Sequence, residues 1–202
     1  MLPIDIDSVK GFLDKTEGEA LYQLALIAST FGPCLEIGSY CGKSTVYLGL
    51  ACQQKKNVLF AVDHHRGSEE HQQGEQYHDP DLFDAAFNKM DSFREFRNTL
   101  ARAKIEDAVI PIVAPSRLAA LCWAAPLSLV FIDGGHSMQA AMDDYECWNQ
   151  HIMPGGYLAI HDVFPDPADG GRPPYEIWCK AIASGLFEEQ PLIKTLGILR
   201  RK

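Results

Sequence analysis

The sequence predicts an α/β fold with a Rossmann-like, doubly wound sheet that is mostly parallel, and two observations lead to that prediction. Short apolar segments alternate with longer segments of helical periodicity along the chain, which is the pattern of a parallel sheet with helices on both faces. Two of the apolar segments, VLFAV and LSLVFI, are continuous runs apart from Ser128. Strands that are buried on both sides have such runs. A final antiparallel strand is expected near the C-terminus.

Each element follows from its local pattern. In the N-terminal segment 1–32, a helix is predicted at 16–30, where Thr16 and Glu19 match a capping box ahead of an apolar stripe. Further helices are predicted at 43–54, 81–104, 116–122, 137–149 and 174–184, and strands at 33–38, 57–63, 108–113, 127–133 and 156–162. Residues 187–202 are predicted to form two more strands, and Pro191 leaves their pairing open.

Length, charge and cysteine usage bound the class of protein. A chain of 202 residues is expected to form a single domain, 1–202. Its net charge of −9 disfavours nucleic acid or an anionic membrane as a partner, because their phosphates would be repelled. No apolar run approaches the ~18 residues of a transmembrane helix, and the N-terminus lacks signal-peptide features. The six cysteines form no C-x-x-C pair, so free thiols in the cytoplasm are expected.

Polar residues at predicted strand ends indicate a binding site. In CLEIGSYCGKST, residues 34–45, a strand enters a glycine-containing turn before a helix, so the backbone can approach a ligand near free N–H groups. The spacing E-x-G-x-x-x-G fits neither a dinucleotide fingerprint nor a P-loop. Glu36 in this turn suits a ligand that carries positive charge. Asp63 ends the next strand, where a carboxylate can bind both hydroxyls of a ribose.

These motifs resemble class I S-adenosylmethionine-dependent methyltransferases. EIGSYCGKST, VDHH, VAPSR, FIDGGHS and PGGYLAIHD stand in the order and spacing of that family over roughly residues 15–165. The last two are similar to the macrocin-type branch of macrolide and aminocoumarin sugar O-methyltransferases, with catechol O-methyltransferase as a more distant relative. The resemblance implies that S-adenosylmethionine binds to Glu36, Gly38, Ser39, Tyr40, Gly42, Ser44, Thr45, Asp63, His64, Ser116 and Asp133.

The same branch implies a divalent metal site and a general base. Asp133, His161 and Asp162 would hold the ion, usually magnesium, with manganese and calcium as alternatives. His161 departs from the acid that the relatives usually have, and imidazole prefers softer metals. Strand alternation puts His161 and Asp162 on opposite faces, so both can ligate only if the strand breaks there. His136, three residues after Asp133, would be the base, which makes His136 and Asp133 the expected catalytic residues.

The predicted function is metal-assisted O-methylation of a small-molecule hydroxyl, such as that of a sugar or a phenol. The loops at 64–81 and 163–174 are expected to contact this acceptor, with His65, Arg66 and Arg172 as candidate contacts. N-methylation, metal-dependent oxidation and a catalytically silent S-adenosylmethionine-binding module stay open as alternatives. Structural roles also stay open: Ser116 could cap a helix, and His136 could simply precede a cap at Ser137. A homo-oligomer is compatible with the sequence, which fixes no oligomeric state.

Overall fold

The helices and strands alternate along the chain in a computed structural model that describes residues 2–68, 79–135 and 137–202. The helices are α1 (Lys15–Ala28), α2 (Lys43–Gln54), α3 (Phe93–Ala103), α4 (Ser116–Ala120), α5 (Met138–Trp148) and α6 (Pro173–Ala183). The strands are β1 (Cys34–Ile37), β2 (Leu59–Asp63), β3 (Phe83–Asp84), β4 (Lys89–Met90), β5 (Val109–Val113), β6 (Leu127–Ile132), β7 (Ile152–Ile160), β8 (Phe187–Glu189) and β9 (Gly197–Arg201). Single 3₁₀ turns occupy Ile6–Ser8, Pro80–Leu82 and Asn149–His151.

The main sheet of the described chain has seven strands in the order β5-β2-β1-β6-β7-β9-β8. The first five run parallel, and β9 is antiparallel to both of its neighbours. This confirms the predicted doubly wound sheet with a final antiparallel strand. The strand order reverses between β1 and β6, because the chain runs outward through β2 and β5 and then returns to the other side of β1. Ligands bind beyond the carboxyl ends of the strands at such a point.

Strand β6 contributes to apolar cores on both faces of the sheet, which explains the apolar run from Leu129 to Ile132. Leu129 and Phe131 pack into the core under α1, α2 and α3. Val130 and Ile132 pack into the core under α5 and α6. All six β6 residues are buried. Helices therefore cover both faces of the sheet, as the sequence predicts.

The predicted helix at 81–104 is correct only in its second half. Residues 79–92 form a 3₁₀ turn and the β3–β4 hairpin, and α3 begins at Phe93. The side chain of Asp84 accepts a hydrogen bond from the Ala86 amide at 3.0 Å, and Asn88 has a left-handed φ of 52°. Asp and Asn stabilise turns in this way. Local turn chemistry therefore overrides an apolar spacing that resembles a helix.

Three smaller predictions have clear outcomes. The N-cap of α1 is Asp14, whose Oδ1 accepts from the Thr16 amide at 2.7 Å, so the predicted capping box at Thr16 and Glu19 is wrong. Pro191 lies between β8 and β9, where no ladder hydrogen bond is lost, and the two strands pair. The six cysteines are free thiols, as predicted.

None of the helices described is both long and apolar enough to cross a membrane.

Candidate active site

A cleft of about 590 Å³ opens at the carboxyl ends of β1, β2, β6 and β7, where the strand order reverses. Its volume is in the range of small-molecule sites. The predicted site residues that border it are Gly38, Ser39, Tyr40, Ser44, Asp63, His64, Ser116, Asp133, His161 and Asp162. The predicted residues that do not border it are Glu36, Gly42, Thr45, His65, Arg66 and Arg172. The cleft therefore gathers most of the residues that the motifs indicate.

The turn after β1 meets the end of β6 through Gly38. Gly38 has a φ of +86°, and a Cβ atom at this position would lie 2.0 Å from the carbonyl oxygen of Asp133. Only glycine permits this approach. The neighbouring Ser39 is buried and borders the cleft, and its Oγ has no hydrogen-bond partner among the described residues. A buried hydroxyl without a partner is a donor and acceptor available to a ligand.

The buried carboxylate of Glu36 connects β1 to the first turn of α2. Its Oε2 accepts from Thr45 Oγ1 at 2.6 Å, and its Oε1 accepts from Ser44 Oγ. Burial raises the pKa of Glu36 to about 8, against the opposing effect of the two hydroxyl donors. Glu36 does not border the cleft, and its carboxylate fixes the start of α2 together with Ser44 and Thr45. Its contact with the cofactor stays a prediction.

Asp63 is held at the end of β2 by two backbone donors. Its Oδ2 accepts from the Tyr40 amide at 2.8 Å, and its Oδ1 accepts from the His65 amide at 2.7 Å. A carboxylate oxygen can accept more than one hydrogen bond. The oriented carboxylate of Asp63 at the cleft wall can therefore still receive two ligand hydroxyls.

His65 lies in the core and not at the predicted acceptor site. Its side chain is buried, its Nδ1 is 2.9 Å from Ser92 Oγ, and its ring packs against Phe93 and Phe96. Burial lowers its pKa, as expected for an imidazole moved out of water. The left-handed φ of 56° at His65 turns the side chain inward.

The two predicted substrate arginines are engaged by other groups of the protein. Arg66 Nη1 lies 3.2 Å from Asp91 Oδ2 and 3.3 Å from the Met90 carbonyl oxygen. Arg172 Nη1 donates to the carbonyls of Phe164 and Pro165, and its guanidinium stacks on a tyrosine ring. Neither arginine borders the cleft.

Ser116 borders the cleft and belongs to a buried polar network. Its Oγ accepts from Trp148 Nε1 at 2.8 Å. The adjacent Asp144 is buried, and burial raises its pKa to about 6, although its hydrogen bond with Ser116 acts in the opposite direction. Asp144 is not among the site residues predicted from the sequence. It follows Ala141 by three residues and precedes Trp148 by four, so helical spacing places it on the apolar face.

Asp133, His161 and Asp162 meet at the ends of β6 and β7. Strand β7 ends at Ile160, and Asp162 has a left-handed φ of 57°. This is the break that lets both His161 and Asp162 border the cleft. His161 Nδ1 lies 2.9 Å from Asp133 Oδ1 and 3.5 Å from Asp162 Oδ2. The three potential ligand atoms all lie within 4.8 Å of one another.

Glu17 of α1 contacts the other nitrogen of His161, a feature that the sequence analysis missed. Glu17 Oε2 is 3.1 Å from His161 Nε2, and both side chains are buried. Burial disfavours the imidazolium, but the carboxylates of Asp133, Glu17 and Asp162 outweigh this effect and raise the pKa of His161 to about 11. Glu17 lies at helical spacing from Leu21 on the apolar face of α1. The only sequence feature that could have indicated a role for Glu17 was an acidic residue on the apolar face of a predicted helix.

The N-terminal segment also borders the cleft, through Lys10–Leu13. Lys10 Nζ forms ion pairs with Asp79 at 2.5 Å and with Asp81 at 2.9 Å. These contacts connect the segment before α1 to the part of the 64–81 loop that precedes β3. The N-terminal segment at the cleft is therefore held in place by ion pairs to residues just before β3.

Two predicted features lie outside the described residues. These are His136, the predicted general base, and the middle of the 64–81 loop at 69–78. Ser137, which follows His136, is the N-cap of α5, and its Oγ accepts from the Ala140 amide at 3.3 Å. The predicted cap at Ser137 is thus confirmed, and the role of His136 as a base stays a prediction.

The doubly wound sheet and the polar cleft at its reversal point define a Rossmann-like α/β protein of the class I methyltransferase type. The chain belongs to the family described as a methyltransferase domain, which matches residues 35–163. The prediction of a class I methyltransferase is therefore confirmed.

Solved structures share the fold over nearly the whole chain at low sequence identity. The O-methyltransferase NovP is 14% identical, with a TM-score of 0.70 over 93% of this chain and 80% of that one. The O-methyltransferase from Bacillus cereus in complex with SAH is 17% identical, with a TM-score of 0.66 over 95% and 83%. Cofactor-bound Rv0187 from MTB is 17% identical, with a TM-score of 0.63 over 96% and 83%.

Proposed function

We propose that this methyltransferase transfers the methyl group of S-adenosylmethionine to a hydroxyl of a small molecule, with the help of a divalent ion. The observation that carries the proposal is the cluster of Asp133, His161 and Asp162 at the end of the cleft. Structural neighbours described as O-methyltransferases, one with SAH and another with SAM, support the choice of cofactor and acceptor atom. The net charge of −9 favours a small molecule over nucleic acid or a membrane.

The cleft fits S-adenosylmethionine. The sulfonium of the bound cofactor supplies the methyl group. The carboxylate of Asp63, oriented by two backbone amides, is placed to accept the ribose hydroxyls. The Oγ of Ser39 has no partner among the described residues and is available to the amino acid part of the cofactor. Since methyl transfer is an in-line displacement, the main contribution of these residues is alignment.

The donor set at the metal site fits a divalent ion with some affinity for nitrogen. Asp133 and Asp162 contribute carboxylate oxygens, and His161 contributes Nδ1. Oxygen donors suit magnesium, calcium and manganese, and the imidazole shifts the preference toward manganese and softer ions. A bound ion would orient the acceptor hydroxyl and lower its pKa. A ring nitrogen of His136 would accept the proton, as the family resemblance implies.

Diffraction from crystals soaked with Mn²⁺ and S-adenosylhomocysteine tests the metal site. We expect an anomalous peak among Asp133, His161 and Asp162, and no peak in a matched Asp133→Asn crystal. A wild-type crystal without a peak there, although the cofactor product is bound, would rule out metal assistance.

A panel of hydroxyl and amine acceptors, incubated with labelled S-adenosylmethionine, tests the acceptor atom. Transfer to hydroxyls supports the proposal, and transfer to amines alone contradicts it. Binding of cofactor without ion binding and without turnover would instead identify a silent binding module. Consumption of oxygen with the ion bound would indicate the oxidative alternative.

A further inference from the structure

We infer that Glu17 is a positioning residue of the metal site. Glu17 holds His161 so that Nδ1 faces the ion between Asp133 and Asp162. This inference rests on the proposed metal-assisted function and names a residue outside every motif of the resemblance. Glu17 lies in the first turn of α1, more than 100 residues before His161 in the sequence.

The two nitrogens of His161 face different partners. Nε2 faces Glu17 Oε2 at 3.1 Å, and Nδ1 faces oxygens of Asp133 and Asp162 at 2.9 and 3.5 Å. A histidine that binds a metal through one nitrogen usually donates the N–H of its other nitrogen to a carboxylate or carbonyl, which fixes the ring. The arrangement around His161 is of this kind, with Glu17 behind the ring and two carboxylates in front.

Glu17 is itself fixed by Thr195, the residue two positions before β9. Glu17 Oε1 accepts from both the amide and the Oγ1 of Thr195, each at 2.8 Å. Its other oxygen, Oε2, contacts His161, and the side chain is buried. Strand β9 pairs with β7, and His161 follows the end of β7. Because Oε1 accepts two hydrogen bonds from Thr195, the Glu17 carboxylate cannot rotate away from His161 without breaking them.

Glu17→Gln separates positioning from packing, because the two side chains have nearly the same shape. The Thr195 amide is a fixed donor, so the amide oxygen of the glutamine must stay next to it. The NH₂ group then faces His161 Nε2 and requires a lone pair there. The ring proton moves to Nδ1, where it blocks coordination. Thr195→Val is the matched control, since it removes one hydrogen bond to Glu17 but leaves Oε2 opposite His161.

Mn²⁺ binding, followed by electron paramagnetic resonance and calorimetry on the full chain, tests the inference. We expect Glu17→Gln to weaken Mn²⁺ binding by about 10–100-fold, the usual effect of losing such a partner. Thr195→Val should keep wild-type Mn²⁺ affinity, and both variants should keep wild-type affinity for S-adenosylhomocysteine.

The outcomes distinguish this inference from the function on which it rests. If wild type binds Mn²⁺ and Glu17→Gln binds it equally well, the positioning role is refuted and metal assistance stands. If Thr195→Val weakens Mn²⁺ binding as much as Glu17→Gln, the effect comes from the packing of the segment before β9 and not from Glu17 Oε2, and the inference fails. If wild type binds no Mn²⁺, the metal-assisted function itself fails.

A measurement on wild type covers the case in which Glu17→Gln does not fold. Nuclear magnetic resonance of ¹⁵N-histidine protein loaded with Zn²⁺ reports the protonated nitrogen of each ring. A proton on Nε2 of His161, with Nδ1 bound to the ion, supports the inference. A proton on Nδ1 refutes it.

Discussion

Replacing Asp144 with asparagine is expected to stabilise the protein at neutral pH and to have little effect in acid. Asp144 is 6% exposed and lies on the buried face of α5. Burial raises its pKa from 3.8 to about 6. The folded state therefore binds the Asp144 proton more tightly than the unfolded state does. The free energy of unfolding therefore falls as the pH rises from the unfolded-state pKa to the folded-state pKa of Asp144. Above the folded-state pKa, the full destabilisation by the ionised carboxylate is present.

The magnitude follows from the two pKa values. One pKa unit corresponds to 1.36 kcal/mol, so ionised Asp144 costs the folded state about 3 kcal/mol near pH 7.5 but only about 0.5 kcal/mol near pH 4. The amide side chain of the variant does not ionise and escapes this cost. The carboxylate of Glu36, whose pKa is also raised, titrates in both proteins and cancels from the difference.

Urea unfolding of wild type and Asp144→Asn at pH 4 and pH 7.5 measures the effect. The advantage of the variant should grow by about 2 kcal/mol between the two pH values. Asp169→Asn, which changes an exposed carboxylate, is the control and should give a small difference at both. A difference between wild type and Asp144→Asn that does not change with pH would refute the reasoning.

Three further substitutions test the cleft and the predicted base. Asp63→Ala should weaken S-adenosylmethionine binding by ~1–3 kcal/mol, the scale of lost charge-assisted hydrogen bonds, and unchanged affinity in calorimetry would exclude the ribose contact. Gly38→Ala should lower the free energy of unfolding by more than about 3 kcal/mol, because its Cβ would meet the Asp133 carbonyl oxygen at a position of positive φ; a wild-type melting temperature would contradict this. His136→Ala should reduce kcat by ~10²–10⁴ with cofactor affinity intact, whereas full activity with a lowered melting temperature would exclude it as the base.

Much of the fold could be predicted because local pattern and global topology agree. The apolar run of β6 from Leu129 to Ile132 reflects burial on both faces, and helices between strands favour parallel pairing. The segment at 81–92 could not be predicted in the same way. Its apolar residues recur at helix-like intervals, and only the turn chemistry of Asp84 and Asn88 separates a hairpin from a helix.

Residues at strand ends could be predicted as site residues because the carboxyl ends of parallel strands share one rim. Asp63, Asp133 and Asp162 meet at the cleft for that reason. The direction of a side chain within a turn depends on local φ and ψ, which the sequence does not reveal. His65 therefore points into the core.

The partners of buried acids come from distant segments, so a motif search does not find them. Glu17 contacts His161 and Thr195, and Asp144 contacts Ser116 from a different helix. Helical spacing marks both acids as buried, but not what they touch. Each needs the tertiary structure before a role can be assigned.

The pairing of β6 with β1, which are far apart in the sequence, also affects when the cleft forms during synthesis. The cleft residue Asp63 is made early, but the wall formed by Asp133 joins Gly38 only after a long stretch of chain has emerged. Such non-local parallel pairing is slow to form. A nascent or truncated chain that lacks β6 therefore has no closed cofactor site, and the cofactor selectively stabilises molecules that have completed the sheet.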